Sequence, residues 1–402
     1  MTPAEENDES QTTLRPVCIL VLGMHRSGTS ALTRVLSLLG AALPHDVLGA
    51  QENSNETGHW EPTKLVDFHE EILAELGSTW WDWRPFEFSQ LSQQRQGEIR
   101  AKIADIIKTE YGESPVIVVK EPRICRFVGF FTDALTDAGF QVRSVLIVRN
   151  PMEVTQSLAK RDGYLTGNSS LLWLRHVLDA EAATRGSKRA MITYEALLTD
   201  WQSAVEKISM ELNIEWPRKT VEIKPLVDGF LSSTHRHYEH STDKLAQVPV
   251  LRNWVSRTYD AHLALLQTPS STTAFRTLDK IRNAFDDAVP ILAPLLEETD
   301  IELAARALKI IEMQNEVERR GWQIAEHERA IAYRDTQLQH RDTELLEAGK
   351  IIDLVTRQRD HALIENELYK NSRSWRITKP LRQLQKVPLE IRKLVNKILR
   401  KV

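Results

Sequence analysis

Cysteine is nearly missing from this 402-residue chain: only Cys18 and Cys125 occur, each in or beside an apolar stretch. A disulfide framework is therefore not indicated, and a reducing compartment is the simpler setting. No window approaches ~18 consecutive apolar residues, so no membrane span is expected. The N-terminus, MTPAEENDESQTTLRP, lacks the basic and apolar regions of a secretion signal. Together these absences predict a cytoplasmic protein. Neither sign of charge dominates: 52 Lys and Arg against 56 Asp and Glu leave a net charge of −4. That balance gives no reason to expect a nucleic-acid binder. What is present is ordinary globular material, 42% hydrophobic and 27% charged, enough for a full core. Tryptophan is plentiful, with ten in all, and Trp80, Trp81 and Trp83 stand together.

Residues 1–15 read as a disordered leader. The apolar run Val17–Leu22 ends in Gly23 and predicts a buried strand, followed by a helix from about Ser30 to Leu39. Further strands are expected at Val116–Val119, Val142–Val148 and about Ala190–Thr193, with helical segments between them. That alternation predicts an α/β fold, a P-loop-like three-layer arrangement of a mostly parallel sheet with flanking helices, over residues 16–265. Residues 266–300 hold the loop signal Thr268-Pro-Ser-Ser-Thr-Thr273, then Pro290 and Pro294, and read as a linker with short helices. From 301 to 370 apolar residues recur every seven positions: Ile310, Val317, Ile324, Ile331, Leu338, Leu345 and Ile352. A long C-terminal helix or coiled coil is expected there, with homo-oligomerisation as one use of it. Its second seam position is mostly polar, reading Met313, Arg320, His327, Arg334, Arg341, Ala348 and Val355. A solvated single helix, or one packed on a partner, remains open. Residues 371–402 form a basic amphipathic tail, which predicts contact with an anionic membrane surface or an acidic partner.

The chemistry concentrates at strand-to-helix joints. Gly23-Met-His-Arg-Ser-Gly28-Thr29-Ser30 connects the first strand to the first helix and gathers backbone N–H groups around one point, a setting for an oxyanion. Its glycine spacing is that of a nucleotide-binding Walker loop, but Thr29 stands where the lysine would be. The positive charge sits at Arg26 instead. A kinase or NTPase therefore fits poorly, and a coiled-coil scaffold carrying a degenerate nucleotide fold is the other alternative. The third strand ends in Val148-Arg149-Asn150-Pro151, and Ser157 lies eight residues after Arg149, where both can face one anion beside the sheet.

These two elements, in this order, resemble the sulfotransferases that use 3'-phosphoadenosine-5'-phosphosulfate (PAPS), above all their carbohydrate and tyrosylprotein branches and bacterial relatives. The resemblance covers roughly residues 16–240. It implies that Arg26, Ser27, Gly28, Thr29 and Ser30 hold the 5'-phosphosulfate and that Arg149 and Ser157 hold the 3'-phosphate. It also implies that no metal is required. Lys120-Glu-Pro-Arg123 is similar to a segment lying near the transferred sulfuryl group, and Tyr194-Glu-Ala-Leu-Leu198 to a packing and capping segment. Arg26 and Lys120 are then the cations for the bridging oxygen. A base for the acceptor hydroxyl should lie between the loop and the second strand, in an interval holding His45, His59, Glu61, His69, Glu70 and Glu71. Glu61 is favoured, with His69 and His59 next. Trp80, Trp81 and Trp83 are the expected acceptor platform, with core packing as their other use, and His235-Arg236-His237 is a candidate for closing over the donor. The segment Asn371-Ser-Arg-Ser-Trp375 resembles a tail of bacterial polysaccharide glycosyltransferases. It implies a glycan or lipid-linked glycan acceptor.

Overall fold

A computed structural model describes residues 15–49, 58–233, 252–385 and 389–399. His235, Arg236 and His237 lie outside the described residues. The run VCILVL forms β1 (Val17–Leu22), which is hidden on both faces. It is an interior strand, and interior parallel strands are continuous apolar runs because helices cover both sides. β2 (Val116–Lys120) pairs with one edge of β1, and β3 (Gln141–Val148) with the other. β4 (Arg189–Thr193) pairs with β3, so the sheet runs β2-β1-β3-β4, all parallel. The chain thus leaves β1 to one side for β2 and returns to the other side for β3. That reversal opens a crevice at the carboxyl ends of β1 and β3, where open α/β sheets bind ligands.

Helices cover both faces, giving three layers. One face packs against α1 (Thr29–Leu38), α8 (Trp201–Leu212) and α9 (Thr220–Ser233). The other packs against α2 (Thr63–Glu75), α3 (Gln93–Tyr111), α4 (Val128–Asp137), α5 (Pro151–Asp162), α6 (Thr166–Thr184) and α10 (Trp254–Gln267). Between α6 and α8 the short helix α7 (Tyr194–Thr199) follows β4 directly. Cys18 and Cys125 are both buried and free.

The segment expected to be a linker is instead part of the core. A single helix, α11, runs from Thr272 to Asn371 through both Pro290 and Pro294. Ala274, Leu278, Ile281 and Phe285 on its first turns are buried, and Phe285 stacks on Trp83 at 5.6 Å between centroids. Each proline removes an amide donor from the helix. Over that stretch Val289, Leu292, Ala293 and Leu296 pack against the core and favour continuation. The chain divides into two compact units, residues 1–297 and 298–402. In the second, α11 ends at Asn371 and α12 (Arg373–Ile377), α13 (Lys379–Gln385) and α14 (Leu389–Leu399) follow. Among the described residues no helix is long and apolar enough to cross a membrane.

Candidate active site

The loop between β1 and α1 is shaped by two left-handed residues, Arg26 (φ 68°) and Gly28 (φ 90°). Gly28 has a second reason to be glycine. A Cβ there would lie 2.1 Å from Cδ2 of Tyr194, whose ring closes the back of the loop. Gly23 is equally confined, its own Cβ falling 2.8 Å from the Ile147 carbonyl oxygen across the sheet. The loop therefore rests directly on β3 and on the start of α7. Ser27 is buried, and its hydroxyl has no hydrogen-bond partner among the described residues. Thr29 is buried beside it.

Arg149 leaves the end of β3 and ties three things together. Its Nε donates to Glu153 at 2.9 Å and its Nη1 donates to the Arg26 carbonyl at 2.8 Å. Its guanidinium lies 4.7 Å from the centroid of the Tyr194 ring. Arg26 Nε in turn donates to the Ser157 hydroxyl at 2.8 Å. The residues expected to hold the two ends of the donor thus sit in one connected group, 131 residues apart in sequence at the Arg26–Ser157 contact. Burial, then the charges of Arg161 and Arg149, lower the pKa of Arg26. Three guanidinium groups thus converge here, against the carboxylates Glu153 on Arg149 and Asp162 on Arg161, beside a seryl hydroxyl with no partner among the described residues. Both observations fit a bound oxyanion.

Lys120, the last residue of β2, reaches the same loop. Its Nζ donates to the Ser30 hydroxyl at 3.1 Å and to the His59 carbonyl at 3.1 Å, and forms a short ion pair with Glu61. Glu61 lies just outside a helix. It precedes Pro62, the N-cap of α2, and follows Trp60, whose left-handed backbone (φ 59°) turns the chain inward. Burial pushes the Glu61 carboxyl above its ordinary range against the pull of Lys120. His59 is brought down to about 4 by burial and by Lys120, Arg161 and Arg26, which leaves a weak base.

Two sequence expectations fail on geometry. His69 is fully buried, its Nδ1 2.6 Å from Glu121 and its ring edged by Phe127 and Phe131 at 4.8 and 5.6 Å. It is sealed off from a substrate and belongs to an ion network. Glu121 there sits at about 2: burial raises it, but Arg123 and His69 bring it down further. Trp83 is buried against Phe285 and is core. Trp80 and Trp81 remain together, 5.6 Å apart and edge to face, and Trp80 also contacts His25 at 5.1 Å. His25, Arg161 and Tyr194 also border the site, a placement not foreseen from the sequence. His25 stands in the quoted loop, next to Arg26, and that adjacency was the available signal. Burial, then Arg123, His176, Arg161 and Lys120, hold its pKa well below the usual histidine value, so it is neutral at pH 7.

A family model described as the sulfotransferase family matches residues 16–218, about half of the chain. The chain belongs to the sulfotransferase family. No curated protein matches it. Among solved structures it is similar to the sulfotransferase domain from the curacin biosynthetic pathway, at 16% identity over 50% of this chain and 75% of that one, TM-score 0.32. It is also similar to the sulfotransferase domain from the Synechococcus PCC 7002 olefin synthase, at 14% identity over 62% of this chain and 96% of that one, TM-score 0.34. Likeness this loose says nothing of substrate. Family membership makes the protein a transferase of sulfuryl groups. The matched region ends before α9, so the second compact unit lies wholly outside it.

Proposed function

We propose that this sulfotransferase moves a sulfuryl group from PAPS to a hydroxyl of a glycan. The observation that supports it is the connected group of Arg26, Ser157 and Arg149 around a loop whose Ser27 hydroxyl has no partner among the described residues. The donor supplies an activated sulfuryl group on a phosphate leaving group. Arg26, the loop amides and the hydroxyls of Ser27, Thr29 and Ser30 would hold the phosphosulfate. Arg149 and Ser157 would hold the 3'-phosphate, a charge that ATP does not carry at that position. Glu61 takes the proton from the acceptor hydroxyl as its oxygen bonds to sulfur. The electron pair of the breaking S–O bond goes to the phosphate oxygen, where Arg26 and Lys120 meet the growing charge. Glu61 suits the role because burial makes its carboxylate a better base, while Lys120 beside it favours the ionised form.

Trp80 and Trp81 would form the acceptor wall. Trp81 is 50% exposed and packs on Trp80, which in turn meets His25 at the loop. A sugar ring suits such faces. The resemblance of Asn371–Trp375 to a glycosyltransferase tail supports a surface-polysaccharide or lipid-linked acceptor. The basic helices beyond Arg373 support engagement of an anionic membrane surface, tested by co-sedimentation with anionic vesicles at low salt.

Titration calorimetry with 3'-phosphoadenosine-5'-phosphate (PAP) and with Mg-ATP tests the donor. PAP should bind and ATP should not. Binding of ATP without PAP would sink the proposal and favour a kinase. Labelled PAPS with a panel of glycans and lipid-linked glycans then identifies the acceptor.

A further inference from the structure

The second compact unit carries a surface that nothing in the described residues covers. Along α11, Ile310, Val317, Ile324, Ile331, Leu338, Leu345 and Ile352 are each between 55% and 68% exposed. They recur every seven residues, so they form one line down the helix, about 63 Å long at 1.5 Å per residue. A continuous apolar line of that length is not what a monomer leaves in water.

The charges beside the line have a pattern. Positions three residues after each line residue are basic through the middle: Arg320, His327, Arg334 and Arg341. Positions four residues after are acidic over the same stretch: Glu328, Asp335 and Asp342. On a helix these two series lie on opposite flanks of the line. Several charges elsewhere on the helix pair within it, among them Arg319 with Glu316 at 2.6 Å, His340 with Glu344 at 3.3 Å and Arg357 with Asp353 at 2.8 Å. Arg320, at the start of the basic row, also binds Glu316, at 2.7 Å. His327, Glu328, Arg334, Asp335, Arg341 and Asp342 carry no ion pair among the described residues.

We infer that residues 310–352 pair with a second copy of this chain as a parallel, in-register two-helix coil. The flanking charges decide the orientation. With the single apolar line itself on the two-fold axis of a parallel pair, the second seam position turns to the flank, and the basic flank of one helix lies against the acidic flank of the other. Arg334 then faces Asp335, Arg341 faces Asp342 and His327 faces Glu328, on both sides. In an antiparallel pair the axis is perpendicular, basic meets basic, and acidic meets acidic. Flanking charges are what set orientation in coiled coils, by repulsion as much as attraction. Met313 and Ala348 supply apolar second positions near the two ends of the stretch, and Val355 follows just beyond it. The ends therefore bind while the charged middle selects the alignment.

The test uses the full chain. Light scattering at tens of micromolar should give the mass of two chains. Ile310→Cys and Ile352→Cys, each alone, should form a disulfide-linked dimer with copper-phenanthroline, while the parent, with Cys18 and Cys125 buried, should not. Arg334→Glu with Arg341→Glu should weaken dimerisation at least tenfold in sedimentation, by setting acid against acid. A mass of one chain, or of more than two, overturns the inference. So does cross-linking that needs a mixture of the two cysteine variants, the antiparallel outcome. An unchanged dimer in the double glutamate variant removes the charge basis.

Discussion

Replacing Gly28 with alanine adds a single methyl group, and the structure says where it must go. The new Cβ would sit 2.1, 2.7 and 2.8 Å from three carbons of the Tyr194 ring. All three distances are shorter than atoms tolerate, so the loop or the ring must move by about an ångström. The ring cannot move alone, because the Arg149 guanidinium lies over it at 4.7 Å. Overpacking of this kind costs roughly 1–3 kcal/mol. The left-handed backbone at φ 90° adds about 1–2 kcal/mol for any residue with a Cβ. Together some 2–5 kcal/mol act against the donor-binding shape of the loop, or about 30-fold to several thousandfold in PAP affinity at 1.4 kcal/mol per decade. Calorimetric titration of PAP reads this directly. The double variant Gly28→Ala with Tyr194→Ala separates the two causes. It removes the collision and keeps the backbone strain, so its loss should fall short of the sum of the singles by about 1–3 kcal/mol. Parent-like PAP affinity in Gly28→Ala would refute the steric account. Strict additivity in the double variant would refute the role given to Tyr194.

Glu61→Gln should lower kcat by roughly 10²–10⁴-fold and leave PAP affinity within a few-fold, since the amide oxygen still accepts from Lys120. The rate in the parent should fall as pH drops through the raised carboxyl pKa of Glu61, because the base works only when ionised, and that acid limb should vanish in Glu61→Gln. Arg149→Lys keeps the charge but cannot bond Glu153 and the Arg26 carbonyl at once, so PAP should bind ~10–100-fold more weakly, measured by calorimetry. Phe285→Ala should cost about 3–5 kcal/mol in chemical denaturation, because the ring is fully buried between Trp83 and Arg175. A loss under ~1 kcal/mol would mean the start of α11 is not core.

The parts of the fold that sequence made legible are the local ones. β1 announces itself as VCILVL, and its loop is read from contiguous residues. Arg149 and Ser157 lie on one strand-helix joint, so their spacing carries their placement. What stayed hidden depends on distant chain. Glu61 meets Lys120 59 residues away, through a left-handed Trp60 that no periodicity predicts. His69 stood as a candidate base in sequence, and Phe127 and Phe131 pack against it in the fold. Trp83 became core only because Phe285 packs on it, and the two prolines near it read as breakers because local propensity cannot see tertiary contacts.

The hydrogen bonds at the donor site also bear on how its residues should be tested. Arg149 bonds the carbonyl of Arg26, and the side chain of Arg26 bonds Ser157. The groups proposed for the 5' end of the donor are thus held by the groups proposed for its 3' end. Substitutions in such a network do not add. Removing Arg149 releases the Arg26 backbone, and with it the angle at which the loop amides point. Arg26→Ala and Arg149→Ala should each lose most of the affinity that their combination loses, whereas two independent phosphate contacts would multiply. Burial first, and then the charges of Arg161 and Arg149, disfavour the Arg26 cation, a cost that a bound anion offsets. Binding energy at one end is therefore used partly to relieve repulsion at both. A ligand with one phosphate gains little of that relief, and selectivity for a donor carrying both follows from the wiring of the site rather than from either contact alone.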